Sequence, residues 1–215
     1  MKALLIGATG LIGNYLLEKL IDDENFTEIT VLHRSDSRIS HPKLSWHVVD
    51  FANSEEWSAL VKGDVLFNAM GTTIKKAGSK EVYVNVDVTI PTKVANIAKE
   101  SGVKSVINVS AAGANAKSGI FYNKIKGQLE GHLFNLEFTN SCMLRPSLLV
   151  GNRNESRLGE KLMTPIMNFF TFIPFLRKYR PIHGKDVAKA MVKFAINPKD
   201  TKLILELDEI QDYIA

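Results

Sequence analysis

Ala3-Leu4-Leu5-Ile6-Gly7-Ala8-Thr9-Gly10-Leu11-Ile12-Gly13 decides the fold. A short aliphatic run that reads as a buried strand meets three glycines spaced Gly-x-x-Gly-x-x-Gly, and helix-compatible apolar spacing begins at once over Leu11 to Ile21. A phosphate needs close approach of backbone N–H groups and the positive end of a helix dipole, which residues without a Cβ permit. Gly7 can turn the chain, Gly10 can admit a pyrophosphate and Gly13 can let helix and strand pack closely. Gly7, Thr9, Gly10, Leu11, Ile12 and Gly13 are therefore candidate coenzyme contacts. The familiar dinucleotide fingerprint has one residue between its first two glycines. Two readings stand: a dinucleotide turn, and a tight strand-to-helix turn without a ligand. A Walker-type loop is excluded, since no Gly-Lys-Ser/Thr follows.

Working outward, β-branched and aliphatic runs recur at Ile29 to Leu32, Trp46 to Val49, Val65 to Phe67, Val106 to Val109 and Ser141 to Leu144. Between them Ser54 to Val61, Val82 to Lys99 and Phe121 to Leu136 carry helical spacing, with Pro91 marking a kink or a helix start. This βαβ rhythm predicts an α/β fold: a doubly wound, mostly parallel Rossmann-type sheet with helices on both faces. Later, Arg157 to Phe170 reads as a helix, Asp186 to Ile196 as an Asp-capped helix and Leu203 to Leu207 as a strand. A chain of 215 residues with 45% hydrophobic content suits one domain, 1–215, in which 145–215 contributes a reduced substrate cap.

The net charge of +4 is spread among interspersed acids and bases, so no nucleic-acid partner is expected. Cys142 cannot form an internal disulfide and fits a reducing, cytoplasmic setting; in its apolar strand it reads as a small buried hydrophobe. No apolar run is long enough to span a bilayer. The five histidines show no paired ligand spacing, so no metal is expected. Met163 to Leu176, rich in Phe and followed by Arg177-Lys178-Tyr179-Arg180, reads first as core packing of the cap; a pocket wall, a subunit contact and a membrane-surface contact stay open.

The second strand ends Val31-Leu32-His33-Arg34-Ser35, with no carboxylate where an NAD enzyme commonly binds the ribose 2′-hydroxyl. Arg34, with Ser35 as a second contact, suits a 2′-phosphate, which predicts NADP(H) in preference to NAD(H). The alternative is a solvated Arg34 with Asp36 taking the acidic role.

These residues, with Asp50-Phe51, Asn68-Ala69-Met70-Gly71-Thr72, Ser110, Tyr122-x-x-x-Lys126, Arg145-Pro146 and the Ile182-to-Ala188 segment, resemble the atypical branch of the short-chain dehydrogenase/reductase superfamily that contains Tat-interacting-protein-like oxidoreductases. The resemblance covers nearly the whole chain. It implies that Asp50 hydrogen-bonds adenine, with Phe51 beside it, and that Ala69, Met70, Gly71 and Thr72 line the adenosine and ribose. It also implies that Lys126 holds the nicotinamide ribose, that Asn85 holds a relay water, and that Pro146 and Leu148 lie against the nicotinamide. Ser147 stands where such proteins often carry Gly.

Tyr122 and Lys126 are four apart, on one helix face. A phenol with an ordinary pKa of about 10 is a poor base at neutral pH, and a nearby ammonium favours its ionised form. The pair can then exchange the alcohol proton while hydride moves at the nicotinamide. Ser110, after the fifth strand, can hydrogen-bond the substrate oxygen. Tyr15 and Lys19 have the same spacing but sit beside the glycine turn, and read as a surface pair. The expected activity is NADPH-dependent reduction of a carbonyl or related small molecule. A non-catalytic NADPH-binding redox regulator and a sugar-nucleotide epimerase are the alternatives, and a homo-oligomer is open.

Overall fold

The computed structural model describes residues 1–36, 39–151, 180–198 and 201–215. Along them run β1 (Lys2–Ile6), α1 (Leu11–Asp22), β2 (Glu28–His33), β3 (Leu44–Val48), β4 (Val65–Asn68), α2 (Ile74–Ala77), α3 (Lys80–Val84), α4 (Ile90–Glu100), β5 (Ser105–Val109) and α5 (Phe121–Asn135). They continue with β6 (Asn140–Arg145), β7 (Leu149–Val150), β8 (Ile182–His183), α6 (Gly184–Ile196), β9 (Lys202–Glu206) and α7 (Glu209–Ile214). The helix expected over Arg157 to Phe170 and the aromatic stretch Met163 to Leu176 lie outside the described residues.

Seven strands form one sheet in the order β3-β2-β1-β4-β5-β6-β9, and every neighbouring pair is parallel. The chain winds outward from β1 to β3, then crosses to β4 and winds the other way. The carboxyl ends of β1 and β4 thus frame the switch point, where open α/β sheets gather ligands.

Strand alternation divides the core in two. Ala3 and Leu5 of β1 pack with Leu16 and Leu20 of α1 and with Val187 and Met191 of α6. Leu4 and Ile6 point the other way, onto Val94 and Ala98 of α4 and Leu129 and Leu133 of α5. Helices therefore cover both faces, as parallel strands without a polar side require.

The structure departs from the sequence reading in four places. Ser54 to Val61 makes two 3₁₀ turns, Ser54–Glu56 and Ser58–Leu60, because the buried Trp57 between them anchors the chain by donating from Nε1 to the Asp50 carbonyl at 2.9 Å. Val82 to Lys99 is interrupted by a π turn, Asn85–Thr89. In a regular α-helix the Pro91 ring would press on the Asp87 carbonyl, and the wider turn relieves that clash. α6 is capped by His183, whose Nδ1 accepts from Lys185 N at 3.1 Å, rather than by Asp186, which lies in the first turn. Finally, β9 pairs with β6 and α6 lies along α1, so these segments complete the sheet and one covering layer instead of standing above it as a cap. A short parallel pair, β7 with β8, has no periodic signature in the sequence.

Candidate functional site

The β1–α1 turn rests directly on the chain leaving β4. Gly7 has φ 84°, and a Cβ there would lie 2.4 Å from the Ala69 carbonyl carbon. A Cβ on Gly13 would lie 2.0 Å from Gly7 O. These two glycines are demanded by backbone packing alone. Gly10 is different: it is exposed and caps α1 without a side-chain hydrogen bond, and the first turn holds no acidic residue. The Leu11, Ile12 and Gly13 amides find no acceptor among the described residues. Uncapped donors at the amino end of a twelve-residue helix fit a diphosphate. The Leu11 side chain sits in a notch left by Gly151 and Gly184, and Ile12 is buried in the core, so both face the turn with backbone only.

At the end of β2, His33 ties three segments together. Its Nε2 lies 3.0 Å from Thr9 Oγ1, its Nδ1 lies 3.1 Å from Ser35 Oγ, and its ring packs at 5.2 Å on Trp46. Ser35 is thus already engaged. Arg34 is exposed and makes no hydrogen bond or ion pair to a described residue. Asp50 Oδ1 accepts from Ala52 N at 3.0 Å, closing its own turn, while the Phe51 ring is buried 5.7 Å from Trp57. Phe51 is a core side chain.

The other end of the site lies where β4, β5 and α5 converge. Lys126 Nζ lies 2.7 Å from Asp87 Oδ1, and both side chains are buried. Asp87 Oδ2 accepts from Thr72 N at 2.9 Å, and a Cβ on Gly71 would come within 4.0 Å of Lys126 Nζ. Asn68 Nδ2 donates to Asn108 Oδ1 at 2.7 Å and its Oδ1 accepts from Met70 N, fixing the loop that carries Ala69 to Thr72. Asn85 is exposed on the π turn, so Asp87, not Asn85, meets the lysine. Tyr83, also buried, packs its ring 6.4 Å from that of Tyr122. Burial, then the Asp87 charge and Tyr122, push its phenol well above the ordinary range. Ser110 lies at the end of β5, its Oγ buried without a hydrogen-bond partner among the described residues.

Tyr122 is 41% exposed and borders a cleft of about 290 Å³ shared with Ala111, Ala112, Pro146, Ser147, Leu148 and Leu207. The structure thus brings Tyr122, Pro146 and Leu148 together, with Lys126 one helical turn below. Arg145 is not part of the cleft. Its guanidinium pairs bidentately with Glu130, at 2.9 and 2.6 Å, and lies 3.4 Å from Glu206, which holds it in the charged form. A larger cleft of about 510 Å³ lies between the far ends of α1 and α6, away from these residues, and both charge signs line it. The Tyr15 ring packs at a tilt on that of His183, centroids 5.4 Å apart, away from the cleft. No group of three or more His, Cys, Asp or Glu side chains among the described residues could hold a metal ion, and no described helix could cross a membrane.

Sequence reasoning missed three residues of this region: Asp87, His33 and Gly127. A Cβ on Gly127 would lie 2.2 Å from Ala116 N, so this glycine lets the 111–120 loop lie against α5. Asp87 had a legible signal, a carboxylate in phase with Tyr83, Ile90 and Val94 on an apolar helical stripe. Gly127 had none, because its neighbour is remote in sequence.

Residues 7–137 match the model of an NAD(P)H-binding family. The protein named FMP52, mitochondrial, of Candida albicans is 34% identical over 201 residues, covering 91% of this chain and 88% of its own. Its counterpart in Eremothecium gossypii is 31% identical over 216 residues, covering 98% and 96%. Among solved structures, MoeE5 in complex with UDP-glucose and NAD has a TM-score of 0.71 at 15% identity, covering 98% of this chain and 79% of that one. The UDP-glucose 4-epimerase of Thermotoga maritima has 0.69 at 17%, covering 94% and 75%. At such identities these structures establish the fold alone. The relatives' mitochondrial names overturn the cytoplasmic placement. A lone cysteine reports at most a reducing environment, which does not distinguish one such compartment from another.

Proposed function

The chain belongs to the NAD(P)H-binding family as an atypical short-chain dehydrogenase/reductase of Rossmann type, and from this we propose that it reduces the carbonyl of a small molecule with NADPH. The observation that carries the reading is the Tyr122–Lys126 face of α5, set at the carboxyl ends of β4 and β5 beside the cleft.

The uncapped amides of Leu11, Ile12 and Gly13 hold the diphosphate, and Arg34, with no described partner to compete, pairs with the 2′-phosphate. The coenzyme, when bound, supplies hydride to the carbonyl carbon. Tyr122 donates its phenolic proton to the carbonyl oxygen, which becomes the alcohol hydroxyl, and the phenolate regains a proton from solvent. Ser110 offers that oxygen a second hydroxyl, one with no competing partner among the described residues. Lys126, whose buried ammonium lies near Gly71, would hold the nicotinamide ribose. Asp87 is a positioning residue: it supplies the counter-charge that a buried ammonium needs and ties it to the Thr72 loop.

The test is a fluorescence titration with NADPH and NADH, joined to turnover of a carbonyl panel. Arg34→Ala should weaken NADPH binding by about tenfold or more and leave NADH unchanged, the loss expected for one charge-assisted phosphate contact. Tyr122→Phe should keep NADPH affinity and lose about a hundredfold or more in kcat. Uptake of neither coenzyme would sink the reading. Tight NADPH binding with no turnover anywhere would favour the redox regulator.

A further inference from the structure

We propose that the substrate is a small, uncharged, apolar aldehyde or ketone, seated in the cleft beside Tyr122; this rests on the reading of Tyr122 as proton donor. Ala111, Ala112, Pro146, Leu148 and Leu207 wall the cleft. No charged side chain is among its described lining residues. Of its two polar side chains, Ser147 donates its Oγ hydrogen to the Arg180 carbonyl at 2.5 Å, which leaves the Tyr122 phenol to orient a ligand. A phenol in an otherwise apolar described wall, with the Ser110 hydroxyl as second donor, suits a carbonyl oxygen on a hydrocarbon frame.

A carboxylate or diphosphate would need a cation here. Arg145, next to Pro146 in the chain, is spent on Glu130 and Glu206, and Glu206 is itself held by the Gly113 amide at 2.9 Å. An ionised group entering the cleft would be stripped of water without a charged partner among the described lining residues. The wall is apolar out to the solvent, with Leu148 54% exposed. In the reaction the carbonyl carbon gains hydride from NADPH and the oxygen gains the Tyr122 proton, giving a neutral alcohol and NADP⁺.

The full chain, with and without NADP⁺, is titrated by ligand-observed NMR using benzyl alcohol, lactate and UDP-glucose, and kcat/KM is compared for benzaldehyde and pyruvate. Benzyl alcohol should bind at least about tenfold more tightly than lactate, and benzaldehyde should be preferred by a similar factor. Ala112→Glu should abolish benzyl alcohol binding with NADPH affinity unchanged; Leu207→Lys gives the same comparison if that variant does not fold. Equal or tighter binding of lactate or UDP-glucose overturns the proposal, as does coenzyme uptake with no benzyl alcohol binding. Benzyl alcohol bound without any coenzyme uptake would support the apolar cleft and remove the NADPH reading alone.

Discussion

A carboxylate on the apolar stripe of a helix must find a cation, and Asp87 finds Lys126 at 2.7 Å with both side chains buried. Asp87→Asn leaves an ammonium buried without its partner and should cost about 3–5 kcal/mol in urea unfolding, whereas Asp87→Leu with Lys126→Met should recover much of the loss. Helical counting from Tyr83 already puts Asp87 on the buried stripe and Asn85 about 200° round from Tyr83. The family pattern drew attention to Asn85, which is exposed. Cys142 was legible from its strand alone. Burial pushes its thiol up to about 12 from its ordinary 9.0. The folded state therefore keeps a proton that the unfolded chain releases, and this contribution to stability, complete below pH 9, declines as pH rises from there towards 12. Cys142→Ala should flatten that part of the alkaline stability profile, and an alkylating reagent at pH about 8 should label Cys142 only after unfolding.

At the scale of elements, glycines show what local reading can and cannot supply. The Gly7-to-Gly13 turn is recognisable because its glycines lie where a strand meets a helix, and the turn is self-contained. Gly127 looks like a defect inside α5, yet a Cβ there would lie 2.3 Å from the Asn115 carbonyl carbon. On an exposed helix face Gly→Ala would stabilise by about 1 kcal/mol. Gly127→Ala should instead destabilise by about 1–3 kcal/mol, seen as a lower urea midpoint, because the 111–120 loop must move. Pro91 was legible as a breaker, but the π turn that accommodates it also presents Asp87 to α5 and the Thr72 loop, contacts that no local pattern announces. The two-residue strands β7 and β8 are too short to carry a period.

For the molecule as a whole, the alternation of strands and helices made the doubly wound sheet readable from β1 to β6. Beyond β6 the reading weakened, because β9 is placed by pairing Ser141 with Lys202 and its neighbours, a choice no local pattern announces. The same distance bears on how the glycine turn is supported. α1, which offers its amino end to the diphosphate, packs against α6 from the far end of the chain. The all-parallel pairing also has a consequence during synthesis. No two neighbouring strands form a hairpin, so each must wait for an intervening crossover. As the chain leaves the ribosome, β6 stands with one row of backbone donors and acceptors bare until β9 is translated. That interval is when a nascent chain is most open to adhesion with its neighbours and most dependent on chaperones.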